Sequence, residues 1–117
     1  DKASIVRLLL DDDRIDPNAL DGRNRGPIHW AALIGNEEIL KCLLRHKKLD
    51  IDPGPPDNAG PLHVAAAKGI TVSVRLLLET GQININRTSS RGKTPLHYAT
   101  EEGHDEVVQL LLAQKDI

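Results

Sequence analysis

Apolar residues recur along this chain at a constant interval of 34 residues. An apolar triplet marks each interval without any gap, at Leu8-Leu9-Leu10, Cys42-Leu43-Leu44, Leu76-Leu77-Leu78 and Leu110-Leu111-Leu112. A fixed period of about 20 to 50 residues is typical of stacked units that are each too small to bury their own apolar face. We therefore predict a repeat protein, in which function is carried by the surface of the stack.

The apolar triplets belong to an amphipathic helix in each repeat. Residues at positions i, i+1, i+4 and i+5 form one apolar stripe of such a helix, and in the last repeat these are Val107, Val108, Leu111 and Leu112. We expect Asp105 to cap this helix, which should run to about Gln114.

A shorter helix precedes it. Its sequence begins at Pro95, in the first helical position, and Gly103 ends it. The histidine two residues after this proline recurs as His29, His63 and His97. Each apolar helix is followed by a polar stretch such as residues 83–93, which is too short for a third helix and suits a turn or hairpin. The predicted unit is helix, turn, helix, hairpin.

This unit resembles the ankyrin repeat. The resemblance is carried by Gly92-Lys93-Thr94-Pro95-Leu96-His97-Tyr98-Ala99 and by Gly103-His104-Asp105-Glu106-Val107-Val108-Gln109-Leu110-Leu111. It spans all 117 residues and implies an all-α ankyrin-repeat solenoid of about three and a half repeats. The repeats exceed the family's usual length of about 33 residues by one, and long arrays in filamentous fungi are similar at this extra residue.

The period also sets the expected boundaries within a single ankyrin-repeat domain. Residues 1–20 supply only the second helix of one repeat, residues 21–54 and 55–88 form two repeats, and residues 89–117 form a repeat truncated at its C-terminus. Terminal repeats normally carry a polar outer face, whereas both ends here are apolar. We therefore expect a fragment of a longer protein, with weak self-association through its uncapped ends.

Composition narrows the setting of the protein. The chain is 39% hydrophobic and 27% charged, and its net charge is −2. No segment approaches the ~18 apolar residues of a membrane span, so we expect no membrane partner. Cys42 is the only cysteine and aligns with Leu76 and Leu110, which predicts a buried apolar role and a reducing intracellular location, cytoplasmic or nuclear.

Candidate chemistry is sparse. Equivalent positions on stacked helices lie about 8–10 Å apart, whereas zinc needs nitrogens about 2 Å from one ion, so the three repeated histidines cannot share a metal. The resemblance implies instead that each ring bonds the start of its own helix and the neighbouring hairpin. His46 and His104 are expected as isolated surface residues. The sequence contains no catalytic motif, and no serine has a general base at a plausible position. We therefore predict neither an enzyme nor a cofactor.

The resemblance implies a protein-binding surface made by the hairpin tips and the exposed side of the first helices. The residues expected there are Arg23, Arg25, Trp30, Leu33 and Ile34 in one repeat, Asp57, Val64 and Lys68 in the next, and Ser90, Arg91, Lys93, Tyr98 and Glu101 in the last. Trp30 and Tyr98 are the only aromatic residues and share one repeat position. Either they bind the partner or they pack against the neighbouring inner helix.

Charge suggests the kind of partner. Basic residues gather at the hairpin tips, while the second helices carry Glu37, Glu38, Glu79 and Glu106. The implied ligand is an acidic protein segment, in trans or in cis. Nucleic acid is not expected, because no long basic row or stacking platform is present.

Two other functions stay open. The chain could be a structural spacer or an intramolecular regulatory segment of a larger multidomain protein. Alternatively, Asn18 or Asn86, which precede hairpins, could be the substrate of an asparagine-modifying enzyme.

The hairpins depart from the family pattern in three ways. Gly26 and Gly60 replace Thr94, whose hydroxyl caps the first helix in this family. Asn24 and Asn58 stand where Gly92 is expected in a left-handed conformation, which Asn tolerates at the least cost. The middle hairpin is stiff and poor in donors because it contains Pro53, Pro55 and Pro56.

Overall fold

The computed structural model describes residues 26–46, 49–51 and 59–115. These residues form six short helices, which we number α1 to α6. Their bounds are α1 Pro27–Ile34, α2 Glu37–Leu44, α3 Pro61–Lys68, α4 Thr71–Glu79, α5 Pro95–Glu101 and α6 Asp105–Leu112. No strand occurs in the described ranges. The predicted all-helical repeat solenoid is confirmed.

The helices form two rows. The first helices of the repeats, α1, α3 and α5, pack side by side as an inner row, and α2, α4 and α6 form an outer row. Each inner helix also packs against the outer helix of its own repeat. Because α3 lies between α1 and α5, equivalent residues of successive repeats form rows along the stack.

A histidine organises the start of each inner helix. Nδ1 of His29, His63 and His97 accepts a hydrogen bond from the backbone N–H three residues earlier, at 3.3, 3.2 and 3.0 Å. The histidine therefore takes the role that Glu or Gln has in a capping box. The reciprocal bond exists only in the last repeat, where Thr94 Oγ1 accepts from His97 N at 3.3 Å.

The outer helices begin differently from what the sequence suggests. The cap predicted at Asp105 is wrong, because Asp105 is the first residue of α6 and His104 occupies the cap position without a side-chain cap bond. Asp105 still lies in the first turn, where a carboxylate favours the helix dipole. In α2 the residue at the repeat position of His104 is Asn36. Its side chain does cap the helix, with Oδ1 accepting from Ile39 N at 3.1 Å.

The core lies between the two rows. Ala31, Ala65 and Ala99 are buried at one position of the inner helices, where a small side chain lets the helices approach closely. Leu40, Leu43, Leu77, Val74, Val107 and Leu111 bury the outer helices against them.

Two residues of the apolar triplets are less buried than predicted. Leu112 ends the expected stripe of α6, yet it is 53% exposed. Cys42 is a free thiol that is only half-buried, whereas Leu76 at the same repeat position is 4% exposed. The predicted burial of Cys42 is therefore wrong, and Leu110 at the same repeat position is also only partly buried.

One hairpin is fully described, between α4 and α5. Ser89 N donates to Lys93 O at 2.9 Å, and Gly92 N donates to Ser89 O at 2.8 Å. Gly92 has φ 71°, so the tip is a turn closed by a left-handed glycine. This confirms the conformation predicted for Gly92. The equivalent Asn24 and Asn58, and the prolines at 53, 55 and 56, lie outside the described residues.

Candidate functional site

The outward side of the inner row carries the residues that the sequence singles out. Positions repeat every 34 residues, which places Trp30, Val64 and Tyr98 in one row along the stack. A second row contains Leu33, Ala67 and Glu101, and a third contains Ile34, Lys68 and Glu102. The described hairpin tip, with Ser90 and Arg91 both exposed, adjoins the α5 end.

The α1 end of this surface is apolar. Trp30 is 40% exposed and Ile34 is 66% exposed, one helical turn apart on the same helix. Leu33 beside them is half-buried. Large apolar side chains at this exposure cost free energy in water and gain it when a partner covers them.

The middle of the surface is different. Val64 is 8% exposed, so it offers a partner little area, and its inclusion among the expected contact residues is not supported by its placement. The physical reason is size, since valine does not reach out of the stack as Trp30 does. Lys68, at the end of α3, is exposed.

Tyr98 is held in place by its surroundings at the α5 end. Its hydroxyl lies 2.9 Å from Ser89 Oγ of the hairpin. Its ring meets the His63 ring edge-on, with centroids 5.8 Å apart and an interplanar angle of 80°, and Lys93 Nζ lies 5.8 Å from its centroid. Tyr98 thus packs against the neighbouring inner helix, one of the two roles open for this position.

The charges near the hairpin are partly neutralised. Lys93 Nζ lies 2.8 and 3.0 Å from the two carboxylate oxygens of Glu101. Lys93 therefore adds little to a basic tip, and Arg91 is the exposed basic side chain of the described hairpin. Arg23, Arg25 and Asp57 lie outside the described residues.

Ion pairs also neutralise part of the negative charge on the outer helices. Glu37 lies 3.0 Å from Lys41 and 3.8 Å from Arg75 of the next repeat. Arg75 also lies 3.7 Å from Glu79. The hydrogen bond and positive charge of Lys41, and then the charge of Arg75, lower the pKa of Glu37 below its ordinary value of 4.5. The expected contrast in sign between the two faces is therefore weakened.

The repeated histidines join one repeat to the next. His63 Nε2 lies 2.9 Å from Arg87 O and 3.2 Å from Lys93 O, both in the following hairpin. His29 Nε2 lies 3.3 Å from Ala59 O. Since Nδ1 accepts from a backbone N–H and a carbonyl can only accept, the proton of each neutral ring is on Nε2. The structural role expected for His29 and His63 is confirmed.

His104 corrects a second expectation. It is not an isolated surface residue, because its Nε2 lies 3.0 Å from Ala67 O of the preceding repeat. Its ring also covers Gly69. His46 is half-buried. Within the described ranges no three His, Cys, Asp or Glu side chains are arranged to hold a metal ion.

The sequence profile described as "Ankyrin repeats (3 copies)" matches residues 1–88 and again residues 28–117. The chain belongs to the ankyrin-repeat family. Ankyrin repeats are in general non-catalytic modules of protein–protein interaction. No curated protein gives a significant sequence match to this ankyrin-repeat chain.

One feature of the ankyrin-repeat surface was missed from sequence. The Lys93–Glu101 pair joins a hairpin to a helix, and its spacing of eight residues fits no regular helical pairing. Glu102, which shares its repeat position with Ile34 and Lys68, is exposed beside Glu101. No helix in the described part of the chain is long and apolar enough to cross a bilayer.

Proposed function

We propose that this ankyrin-repeat chain binds a protein partner through the exposed side of its inner helices and the adjoining hairpin tips. The main support is the pair of apolar residues Trp30 and Ile34 on α1, which are 40% and 66% exposed. Fully burying an Ile side chain stabilises by about 1.5–3 kcal/mol. Trp is also one of the residue types enriched at interface hot spots.

The matched control for this surface is Leu112. It is a large apolar residue of comparable exposure, 53%, but it lies on the outer helix α6. Ile34→Ser and Leu112→Ser therefore remove similar exposed apolar area from opposite rows of the stack.

The test uses the full 117-residue chain to capture a partner from its natural source, followed by calorimetry with the purified partner. We expect Ile34→Ser to weaken binding at least ~10-fold, equivalent to ~1.4 kcal/mol, and Leu112→Ser to change it less than ~2-fold. Equal losses in both variants, or no captured protein, would reject the proposal. Capture of a segment of the same polypeptide would instead support the structural or intramolecular role.

We further propose an intracellular site of action, in the cytoplasm or nucleus. The support is chemical: Cys42 is a free, half-buried thiol, and such thiols persist in reducing compartments.

A further inference from the structure

Three exposed residues form a row at the C-terminal ends of the inner helices. Ile34 ends α1, Lys68 ends α3, and Glu102 follows the last residue of α5. All three are exposed, and each directly precedes the glycine that ends its inner segment. Because α3 lies between α1 and α5, the three side chains follow one another along the stack at about 8–10 Å per step.

The chemistry of this row changes at every step, from apolar to basic to acidic. Among the residues that the structure describes, neither Lys68 nor Glu102 has an ion-pair or side-chain hydrogen-bond partner, whereas Glu37, Lys41, Arg75, Lys93 and Glu101 are all paired. The two unpaired charges are therefore available to an external group.

Fold stability does not account for the acidic end of the row. The C-terminus of a helix carries a partial negative charge, which favours Lys68 at the end of α3 and disfavours Glu102 at the end of α5. Lys93 forms an ion pair with Glu101. Glu102 is therefore the carboxylate at this helix end that has no ion-pair partner among the described residues. A carboxylate placed against the helix dipole and left without a cation is open to a positively charged partner group.

We infer that this row binds one segment of a protein partner in a fixed direction. An apolar residue of the segment covers Ile34 and Trp30, an acidic residue follows at Lys68, and a basic residue follows at Glu102. This inference rests on the proposed function and adds the order of chemistry in the partner. It replaces a simply acidic ligand with a segment that carries both signs of charge.

The geometry also limits the spacing within the partner. An extended segment rises about 3.3 Å per residue and a helical one about 1.5 Å. Steps of about 8–10 Å therefore separate the three partner residues by about three positions in an extended segment, and residues three apart share one face when that segment is polyproline-II-like. A helical segment would need about six positions per step, which does not keep the three residues on one helix face.

The test is a selection from a random peptide library displayed on phage, against the full chain and against the charge swap Lys68→Glu/Glu102→Lys. The swap keeps composition and the net charge of −2. A matched control, Glu38→Lys/Lys115→Glu, exchanges two exposed charges of the outer row and the C-terminal end. Circular dichroism must show all three proteins folded.

We expect the wild type and the control to select peptides with the order apolar, acidic, basic, and the swap to select apolar, basic, acidic. A wild-type peptide should bind the swap at least ~10-fold more weakly. Exchanging the acid and base in that peptide should restore its affinity.

Three results would overturn the inference. The first is a set of selected peptides with no common order of charges, or with the same order for the wild type and the charge swap. This result would be compatible with protein binding but would reject a fixed direction of the bound segment. Peptides that bind an Ile34→Ser variant equally well would bind elsewhere. Failure to select any peptide would also reject the row as a segment-binding site, while the calorimetry with the captured partner decides the proposed function separately.

Discussion

His104 lies directly over Gly69 of the preceding repeat. A Cβ atom on Gly69 would come within 2.5 Å of His104 Nδ1, closer than such atoms approach in proteins. The same relationship exists one repeat earlier, where a Cβ on Gly35 would come within 2.6 Å of Ile70 Cγ2. The residue after each such glycine thus covers the glycine of the repeat before it, and this contact fixes how adjacent repeats are stacked.

We expect Gly69→Ala to destabilise the fold by about 2–5 kcal/mol. Its φ of 71° costs a residue with a side chain about 1–2 kcal/mol, and overpacking against His104 adds about 1–3 kcal/mol. Gly103→Ala is the matched control, because Gly103 has φ 74° and no neighbour within 4 Å of an added Cβ. It should show only the backbone cost. Urea denaturation measures both.

A double variant tests the contact between His104 and position 69 directly. The double variant Gly69→Ala/His104→Ala should recover part of the stability lost in Gly69→Ala, because the clash is removed while the backbone cost remains. If the double variant is less stable than Gly69→Ala by the full cost of His104→Ala, the two residues are not coupled.

His63→Ala should destabilise the chain far more than His97→Ala. His63 is 3% exposed and bonds the hairpin of the next repeat through Arg87 O and Lys93 O. Losing these bonds and leaving Gly60 N–H without its acceptor should cost about 2–4 kcal/mol. His97 is exposed, and within the described ranges its hydrogen bonds are all to Thr94, so its replacement should cost about 0.5–1 kcal/mol. Equal losses in denaturation would show that the bonds between repeats add nothing.

Sequence reasoning succeeded where the repeat itself carries the signal. The period located every described helix, and the resemblance to ankyrin repeats implied the bonds of His63 to the next hairpin. It failed at His104 and Gly69 because this pair is separated by 35 residues, one more than the period, and only stacking brings the two helix ends together. Cys42 was misjudged because burial at its repeat position varies, from the half-buried Cys42 and Leu110 to Leu76 at 4% exposure.

We expect Gly26→Thr and Gly60→Thr each to stabilise the fold by about 1 kcal/mol, by restricting the unfolded chain and adding a cap. Their backbones permit it: φ and ψ are −88° and 174° at Gly26 and −76° and −179° at Gly60, close to −85° and 168° at Thr94. Gly92→Thr, at φ 71°, is the control and should lower the melting temperature. A lower melting temperature for Gly60→Thr would show that its buried site has no room for the side chain.

The Glu37 carboxyl should titrate below 4.5, because Lys41 and Arg75 stabilise its charged form. A lowered folded-state pKa contributes stability that is present above the unfolded value and is lost as the pH falls through the folded value. The contribution of Glu37 should therefore disappear at acidic pH, below 4.5. Carbon-13 NMR of the carboxyl measures the pKa directly. Lys41→Gln should raise it more than Arg75→Gln does, and the reverse order would contradict the 3.0 Å and 3.8 Å contacts.

Replacing Tyr98 should mainly lower the stability of the fold, whereas replacing Trp30 should mainly weaken partner binding. Tyr98→Ala removes the contact with His63 and the bond to Ser89 Oγ, so it should destabilise the fold by about 2–4 kcal/mol. Tyr98→Phe keeps the ring and should cost only about 0.5–1.5 kcal/mol. Trp30, at 40% exposure, should instead lose at least about 1–2 kcal/mol of partner binding when replaced by alanine. Denaturation and calorimetry on the same three variants give both quantities. If Trp30→Ala binds the partner as well as the wild type does, the apolar end of the inner row is not the binding surface.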